Sequence, residues 1–196
     1  MKNQLIAKYT VMVTLITMAM LITACGSGGG GLPGTTSSGS NNGDPNGAVA
    51  VANLTVTGTG TSNGTATIDP NTNSGKFTIS FSTSGPGAGM IYIAEAYVNL
   101  NGNYNGGTTS KGDYRVGTGC GATTISDSCH NNVTYTCSFN TSNVVSCVNQ
   151  IANAPAVASN IQQIMTAVPQ NAYVVAYVCN GFISQCTSLS VPVIFQ

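Results

Sequence analysis

Charged and catalytic side chains are scarce in this sequence. Only 5% of its 196 residues are Asp, Glu, Lys or Arg, the five cations balance the five anions, and there is one histidine and no tryptophan. No cluster of Lys and Arg is present, which argues against nucleic acid as a partner. Few groups remain that act as nucleophile, acid or base, so we expect a protein that is not an enzyme and holds no cofactor or metal.

The first 24 residues have the pattern of an export signal. Lys2 and Lys8 are the only charged residues there, and they precede an apolar run of 14 residues at positions 11–24. A stable membrane-spanning helix needs about 20 apolar residues. A basic start, a short apolar run and small residues at its end predict a secretory signal peptide over residues 1–24.

The end of this run, Ile22-Thr23-Ala24-Cys25, resembles the lipobox of bacterial lipoproteins. The resemblance implies cleavage before Cys25, a diacylglyceryl thioether on its sulfur and an acyl chain on its nitrogen. Several acyl chains hold a protein to a bilayer almost irreversibly, at about 0.8 kcal/mol per buried CH₂. In this family an aspartate after the cysteine retains the protein in the inner membrane. Gly26 stands there instead, which implies sorting to the outer membrane if the source is Gram-negative. The alternative is an ordinary signal peptide with a chance cysteine.

Residues 25–47 are expected to form a flexible tether. After Cys25 the chain continues as GSGGGGLPGTTSSGSNNGDPNG, which has almost no apolar side chain to offset the entropy of ordering. A Gly/Ser chain of these 22 residues has a mean span of roughly 25 Å. The tether would lift a folded domain away from the lipid surface and let it reorient.

The folded part is predicted to be a single domain over residues 48–196. After removal of the signal, three cations and five anions remain, a formal net charge of −2. Its surface must therefore consist mainly of Thr, Ser, Asn and Gly. Weak net charge gives little repulsion between copies, so self-association or docking into an assembly meets a low electrostatic barrier.

The cysteines of this domain indicate an oxidising compartment. Six remain when Cys25 is set aside, and an even number in an exported chain predicts disulfides; they are Cys120, Cys129, Cys137, Cys147, Cys179 and Cys186. Of the 15 possible pairings, neighbouring cysteines are favoured: 137 with 147 across a hairpin turn, 179 with 186, and 120 with 129. A zinc site would need close Cys pairs, which the sequence lacks.

Short alternating segments separated by turn-forming residues predict β-strands. Residues 76–83 alternate most clearly, with Phe77, Ile79 and Phe81 on the inward face. Further strands are expected over residues 49–57, 65–68, 90–99, 133–139, 144–148, 173–179 and 189–195. A phase change near Ala52 indicates a bulge, and Pro192 indicates that the last strand lies at a sheet edge.

One segment has helical rather than strand spacing. Residues 159–168 place apolar side chains at i, i+3, i+4 and i+7, with Ser159 or Asn160 as a cap and Pro169 as a stop; these are Ile161, Ile164, Met165 and Val168. The pattern predicts a short helix or helical turn that crosses between two sheets.

The number and length of the strands predict an all-β fold, an antiparallel sandwich with one short helix, stapled by disulfides. Within residues 168–175, Pro169 and Tyr173 fit the Pro-x₃-Tyr-x-Val run that resembles fibronectin type III and other immunoglobulin-like domains. In those domains the tyrosine forms a corner before the penultimate strand. The resemblance implies an immunoglobulin-like sandwich, and a jelly roll or another sandwich remains open.

Two residues are candidates for chemistry. His130, the only histidine, follows Cys129 and could serve as a base; the alternative is a loop residue in a disulfide-bonded turn. Glu95 lies among apolar neighbours, where a carboxyl often has a shifted pKa. The alternatives for Glu95 are an inward charge that protects an edge strand and an ion-pair partner of Arg115 or Lys111.

Two short motifs suggest ligands but have simpler explanations. Residues 69–75, DPNTNSG, resemble the first half of a calcium loop, yet Ser80 stands where a bidentate glutamate is required. A hairpin turn accounts for them with fewer assumptions. The tripeptide Lys111-Gly112-Asp113 looks adhesive, but matches of this length are mostly chance.

A polar loop at residues 99–107, NLNGNYNGG, is the first candidate for binding. It is expected to be mobile, with Tyr104 at its tip between Asn103 and Asn105. Loops on a rigid sandwich commonly carry binding residues, and aromatic and amide groups suit a protein partner or a glycan.

Together these features predict a non-enzymatic, outer-membrane-anchored lipoprotein that acts as a structural or interaction subunit of a cell-envelope assembly. It resembles in general type the small lipoproteins that decorate secretion-system outer-membrane complexes. Its expected partners are membrane lipid, through the acyl chains, and envelope proteins. Alternatives are a surface adhesin or carbohydrate-binding module, and an enzyme with an unrecognised site.

Overall fold

Eleven strands form two β-sheets in the part of the chain that the structure describes. The computed structural model describes residues 48–85, 91–118, 132–150, 156–180, 183 and 185–196, all within one unit, Ser40–Gln196. The strands are β1 Ala50–Thr57, β2 Gly60–Ser62, β3 Thr65–Ile68, β4 Lys76–Ser84, β5 Ile91–Asn99, β6 Tyr114–Thr118, β7 Asn132–Phe139, β8 Val144–Asn149, β9 Val157–Asn160, β10 Gln170–Asn180 and β11 Cys186–Phe195. The predicted all-β sandwich is confirmed.

The two sheets have different pairing. One has five strands in the order β1-β4-β7-β8-β9, all antiparallel, and the other has six in the order β2-β3-β11-β10-β5-β6. In the six-stranded sheet β3 runs parallel to β11, while the remaining pairs are antiparallel. The immunoglobulin-like assignment rests on the sequence resemblance and stays a prediction.

The core lies between the inward faces of the sheets. Alternation along β4 buries Phe77, Ile79 and Phe81, as the sequence predicts. Tyr135 of β7 is fully buried, and its hydroxyl crosses the sandwich to donate to the Ala94 carbonyl of β5 at 3.2 Å. Burial of one such large apolar side chain stabilises a fold by about 1.5–3 kcal/mol, so the core supplies most of the driving force.

On one side of the sandwich the edge strands of the two sheets lie against each other. β6 and β9 are the last strands of their sheets there, and the Ser159 hydroxyl of β9 donates to the Arg115 carbonyl of β6. On the other side β1, the edge of the five-stranded sheet, contacts β11, which is an interior strand of the six-stranded sheet. The outermost strand of that sheet is β2, and all three of its residues are exposed.

The predicted bulge is present, and the predicted edge position is wrong. The register of β1 against β4 shifts between Ala52 and Thr55, where Asn53 adopts a positive φ of 54°. β11 lies between β10 and β3, so Pro192 is not in an edge strand. The parallel pairing with β3 begins only at Val193. Pro192 therefore has no strand partner among the described residues on the side that faces away from β10.

The segment predicted as a helix is strand followed by a turn. Asn160 still belongs to β9, and Ile161 donates its N–H to the Asn143 carbonyl at 2.8 Å. Two turn hydrogen bonds follow, from Ile164 to Ile161 at 2.9 Å and from Met165 to Gln162 at 3.2 Å. The helix alternative is therefore wrong and the helical-turn alternative is confirmed. Asn160 caps the turn as predicted, because its side-chain oxygen accepts from the Gln162 N–H at 2.8 Å.

Helical structure in the described ranges is limited to two 3₁₀ turns, Asn73–Gly75 and Thr109–Lys111. None of the helices described there is long and apolar enough to cross a membrane.

Two predicted disulfides are present. Cys137 of β7 is bonded to Cys147 of β8 in the core, and Cys179 of β10 is bonded to Cys186 of β11. Each bond joins directly opposed residues of a hairpin, as their spacing predicts. The third predicted pair, Cys120 with Cys129, lies outside the described residues.

Candidate functional site

The loop between β5 and β6, residues 100–113, lies against the outward face of the six-stranded sheet. The inward residues of β10 are Ala172, Val174, Ala176 and Val178, so the alternate residues Tyr173 and Tyr177 point outward. A β-carbon placed on Gly102 of the loop would come within 3.1 Å of the Tyr173 ring. The loop therefore packs closely on this face, and glycine at position 102 permits that approach.

Asp113 at the end of the loop is the centre of its hydrogen bonding. Its side chain is 1% exposed. One carboxylate oxygen accepts from the side-chain amides of Asn99 at 2.8 Å and Asn105 at 3.1 Å. The other accepts from the backbone N–H groups of Asn105 at 2.7 Å and Gly107 at 2.9 Å. Hydrogen bonds to an ionised acceptor are among the strongest in proteins, so Asp113 fixes the loop conformation.

Asn99 holds the start of the same loop. It is 1% exposed, and its amide nitrogen donates to the Asn103 carbonyl at 2.7 Å as well as to Asp113. Its amide oxygen accepts from the Gly102 N–H at 2.9 Å. The loop predicted to be mobile is therefore held by buried polar groups.

Tyr104 is folded back onto the sheet and does not stand at an exposed tip. Its ring stacks on Tyr177 with a centroid distance of 3.6 Å and an interplanar angle of 11°. The Tyr97 ring meets Tyr104 edge-on at 5.4 Å. Tyr97 is almost completely buried, whereas Tyr104, Tyr173 and Tyr177 are half-buried. We call these three half-buried side chains the tyrosine patch.

Glu95 lies beside the patch and is engaged by two neighbours. It pairs with Arg115 of β6 at 3.1 Å, and the Tyr97 hydroxyl donates to its other oxygen. The ion-pair alternative predicted for Glu95 is thus confirmed with Arg115 as the partner. Burial, and then the hydrogen bond to Glu95, raises the pKa of Tyr97 well above its ordinary value. Burial, and then the neighbouring Tyr104, raises the pKa of Tyr177 to about 12.

A small pocket opens on another side of the loop. It has a volume of about 160 Å³ and lies between the loop and the turn at residues 161–165. Leu100 and Ile164 supply apolar walls, the amides of Asn101 and Asn105 supply polar ones, and Lys111 also lines the pocket. Among the residues that the structure describes, Lys111 has no carboxylate within salt-bridge distance.

The other sequence candidates fall into two groups. Cys25, Cys120, Cys129 and His130 lie outside the described residues. Asp69 closes a turn, because its carboxylate accepts from the Asn71 N–H at 2.8 Å and the Thr72 hydroxyl at 2.7 Å. This turn joins β3 and β4, which lie in different sheets, so the hairpin predicted there is wrong. Within the described ranges no three His, Cys, Asp or Glu side chains come close enough to hold a metal ion. Burial of Asp113 also argues against a displayed adhesive tripeptide.

Of the loop residues named from the sequence, Asn105 and Tyr104 are built into the site, while Asn103 is exposed. Sequence reasoning missed Asp113 and Tyr177. The sequence does not show which face of β10 Tyr177 occupies, because Val175 and Cys179 on its face are as apolar as the residues on the other face. Asp113 lies ten residues after Asn103, and none of its neighbours in the sequence indicates that it contacts Asn99.

Comparison with known proteins adds no family assignment. No family model matches the chain, and no curated protein or solved structure is significantly similar to it. The tyrosine patch, the loop fixed by Asp113 and the pocket at Lys111 are the observations from which a function is inferred.

Proposed function

We propose that this chain is a non-enzymatic lipoprotein that binds a protein partner of the cell envelope through the tyrosine patch. Acyl chains on Cys25 would hold it to the outer membrane, and residues 26–47 would give the domain reach. In this role it is a structural or interaction subunit of an envelope assembly. The observation that carries the proposal is the half-buried, rigidly backed cluster of three tyrosines on one sheet face.

Tyrosine suits such a contact for physical reasons. Its ring adds a large apolar area with only two rotatable bonds, and its hydroxyl accepts or donates a hydrogen bond at the rim. Tyrosine is accordingly enriched among the residues that dominate binding energy in interfaces. The stack of Tyr104 on Tyr177 is already formed, so a partner would meet little entropic cost of ordering it.

The electrostatics near the patch favour a partner of low charge. Glu95 and Arg115 neutralise each other, and Asp113 is buried beneath the loop. Lys111 is an exposed cation of the same loop without an ion pair among the described residues. A mainly aromatic surface with one such charge offers shape and apolar area rather than strong long-range steering. We therefore expect the interface to be formed slowly and to depend weakly on salt.

The test is photo-crosslinking in native membranes. A photoreactive residue at exposed position Ser188, next to Tyr177 on β11, should give one discrete higher-mass product. Tyr177→Ala should abolish that product, because it removes the base of the stack. Val148→Ala is the matched control, since Val148 is 45% exposed on the solvent face of the other sheet and should leave crosslinking unchanged.

Two results would contradict the proposal. Recovery of the free monomer alone, from membranes in which the lipoprotein is abundant, would remove the protein partner. Equal losses from Tyr177→Ala and Val148→Ala would show that the patch is not the contact. Mass spectrometry of the N-terminal peptide tests the anchor separately, with an acylated peptide that begins at Cys25 as the expected result.

A further inference from the structure

We propose that the pocket at Lys111 binds a single sugar residue that carries a carboxylate. This inference is independent of the tyrosine patch and of the protein partner proposed above. It follows from the charge, the lining, the rigidity and the size of the pocket.

The charge of the pocket is the first step. Lys111 is exposed and lines the pocket and, within the described residues, its ammonium makes neither an ion pair nor a hydrogen bond. The nearest acid in sequence, Asp113, is turned away into four hydrogen bonds with N–H donors of the loop. The ammonium therefore has no carboxylate in contact with it among the described residues, and a ligand carboxylate is its natural complement.

The walls of the pocket are suited to a sugar ring. Leu100 is 46% exposed and Ile164 is 5% exposed, so together they offer an apolar surface for the C–H face of a pyranose. The amides of Asn101 and Asn105 also line it; after their hydrogen bonds within the loop, Asn101 keeps one N–H donor and Asn105 keeps one oxygen lone pair for ligand hydroxyls. Mixed apolar and amide lining with one charge is the general character of small-ligand sites.

The polar groups are already positioned. Asn105 is held by Asp113, and Asn101 is held by Asn105 at 3.1 Å and by the Asn103 N–H at 2.9 Å. Asn105 also donates to the Asn101 oxygen at 3.3 Å. An amide offers two donors and two lone pairs, so one N–H of Asn101 and one lone pair of Asn105 remain for a ligand. A ligand would therefore bind without ordering the loop, which removes much of the usual cost of binding.

The size of the pocket limits the ligand. Its volume of about 160 Å³ is below the range of roughly 300–1,000 Å³ found for drug-sized ligands. One monosaccharide residue fits this space, as a free sugar or at the end of a glycan chain. An oligosaccharide could place only one residue inside.

The experiment uses the full lipoprotein in detergent micelles, titrated with sodium glucuronate and followed by the NMR signals of the asparagine side-chain amides. Glucuronate should shift the Asn101 and Asn105 signals saturably. Glucose, which has the ring alone, should bind up to about fivefold more weakly, and acetate, which has the charge alone, at least about fivefold more weakly. Lys111→Gln should weaken glucuronate binding by up to about fivefold, the upper range for an ion pair exposed to water.

Lys76→Gln is the matched control. Lys76 is exposed at the start of β4, has no ion-pair partner within the described residues and lies outside the pocket, so glucuronate binding should be unchanged. Binding that Lys111→Gln leaves intact would overturn the proposal. Acetate binding as strongly as glucuronate would also overturn it, because the site would then recognise a carboxylate without the sugar, and no saturable shift with glucuronate would have the same consequence.

Discussion

Replacement of Asp113 by Asn should loosen the β5–β6 loop and destabilise the domain. The substitution keeps the shape of the side chain but replaces one carboxylate oxygen, which accepts two backbone N–H groups, by an amide nitrogen that cannot accept. Those N–H groups belong to Asn105 and Gly107, at 2.7 and 2.9 Å. If the amide takes the opposite orientation, the side-chain amides of Asn99 and Asn105 lose their acceptor instead.

The magnitude follows from the number of stranded donors. A buried donor left without an acceptor costs about 1–3 kcal/mol. Either orientation of the Asn side chain leaves two donors without an acceptor at a site that is 1% exposed. Allowing for relaxation of the loop, we expect a loss of about 2–4 kcal/mol. For a domain of this size that corresponds to a fall in Tm of roughly 6–12 °C.

Differential scanning calorimetry of the disulfide-intact protein measures the fall in Tm. Faster hydrogen exchange at the Asn105 and Gly107 amides would show that the loop is the part that loosens. Asp69→Asn is the control, because Asp69 makes hydrogen bonds of similar length to Asn71 and Thr72 in an exposed turn. Its effect on Tm should be clearly smaller. A fall for Asp113→Asn no larger than that of the control, with unchanged amide exchange, would refute the central role given to Asp113.

Three further predictions concern other sites. Gly117→Ala should cost about 1–3 kcal/mol in chemical denaturation, because its β-carbon would come within 2.8 Å of the buried Tyr135 ring; no loss would mean that the ring can move aside. Tyr104→Ala should lower the pKa of Tyr177 from about 12 toward its ordinary value in an ultraviolet titration, and an unchanged pKa would show that the stack does not contribute. Asp69 should titrate below 3.8 in an NMR titration of its carboxyl carbon, because the Thr72 hydroxyl lowers its pKa; its contribution to stability is then present above pH 3.8 and lost as pH falls through the lowered value, and a midpoint above 3.8 would contradict this.

The strands were predictable where side chains alternate strictly. In β4 and β7 every second residue is apolar and enters the core, so the period of two alone locates these strands. The hairpin disulfides were predictable for a related reason, since cysteines on either side of a short turn face each other when the strands pair. Both inferences use only neighbours in the sequence.

The failures come from contacts between distant residues. The spacing of Ile161, Ile164 and Met165 is equally compatible with a helix and with the buried turn that is observed. The pairing of β9 with β8 favours the turn over the helix. A local sequence pattern gives no information about that pairing. The edge position predicted from Pro192 is wrong because β3 pairs with the end of β11, from Val193 onward. Proline is tolerated because this pairing begins only after it, and the sequence around Pro192 does not show where β3 lies.

The same limit applies to the candidate site. The asparagine-rich loop was identified from its composition, but its rigidity depends on Asp113, which lies fourteen positions from Asn99. The tyrosine patch joins Tyr104 of the loop to Tyr177 of β10, far apart in the chain. Local sequence therefore indicated which residues are available for binding, and only the fold brought them together.

The contacts of β6 with β9 and of β1 with β11 affect how readily copies of the protein associate when they are held to a bilayer. Molecules confined to a plane collide far more often than molecules free in solution, and this one carries little net charge to keep copies apart. Unpaired edge strands of neighbouring molecules would then form main-chain hydrogen bonds with each other and assemble into fibrils. Within the described residues the companion sheet lies against the β6–β9 side, whereas β2 is an exposed outermost strand of three residues. Main-chain pairing between crowded copies of the lipid-held molecule proposed here should therefore be limited to that short strand.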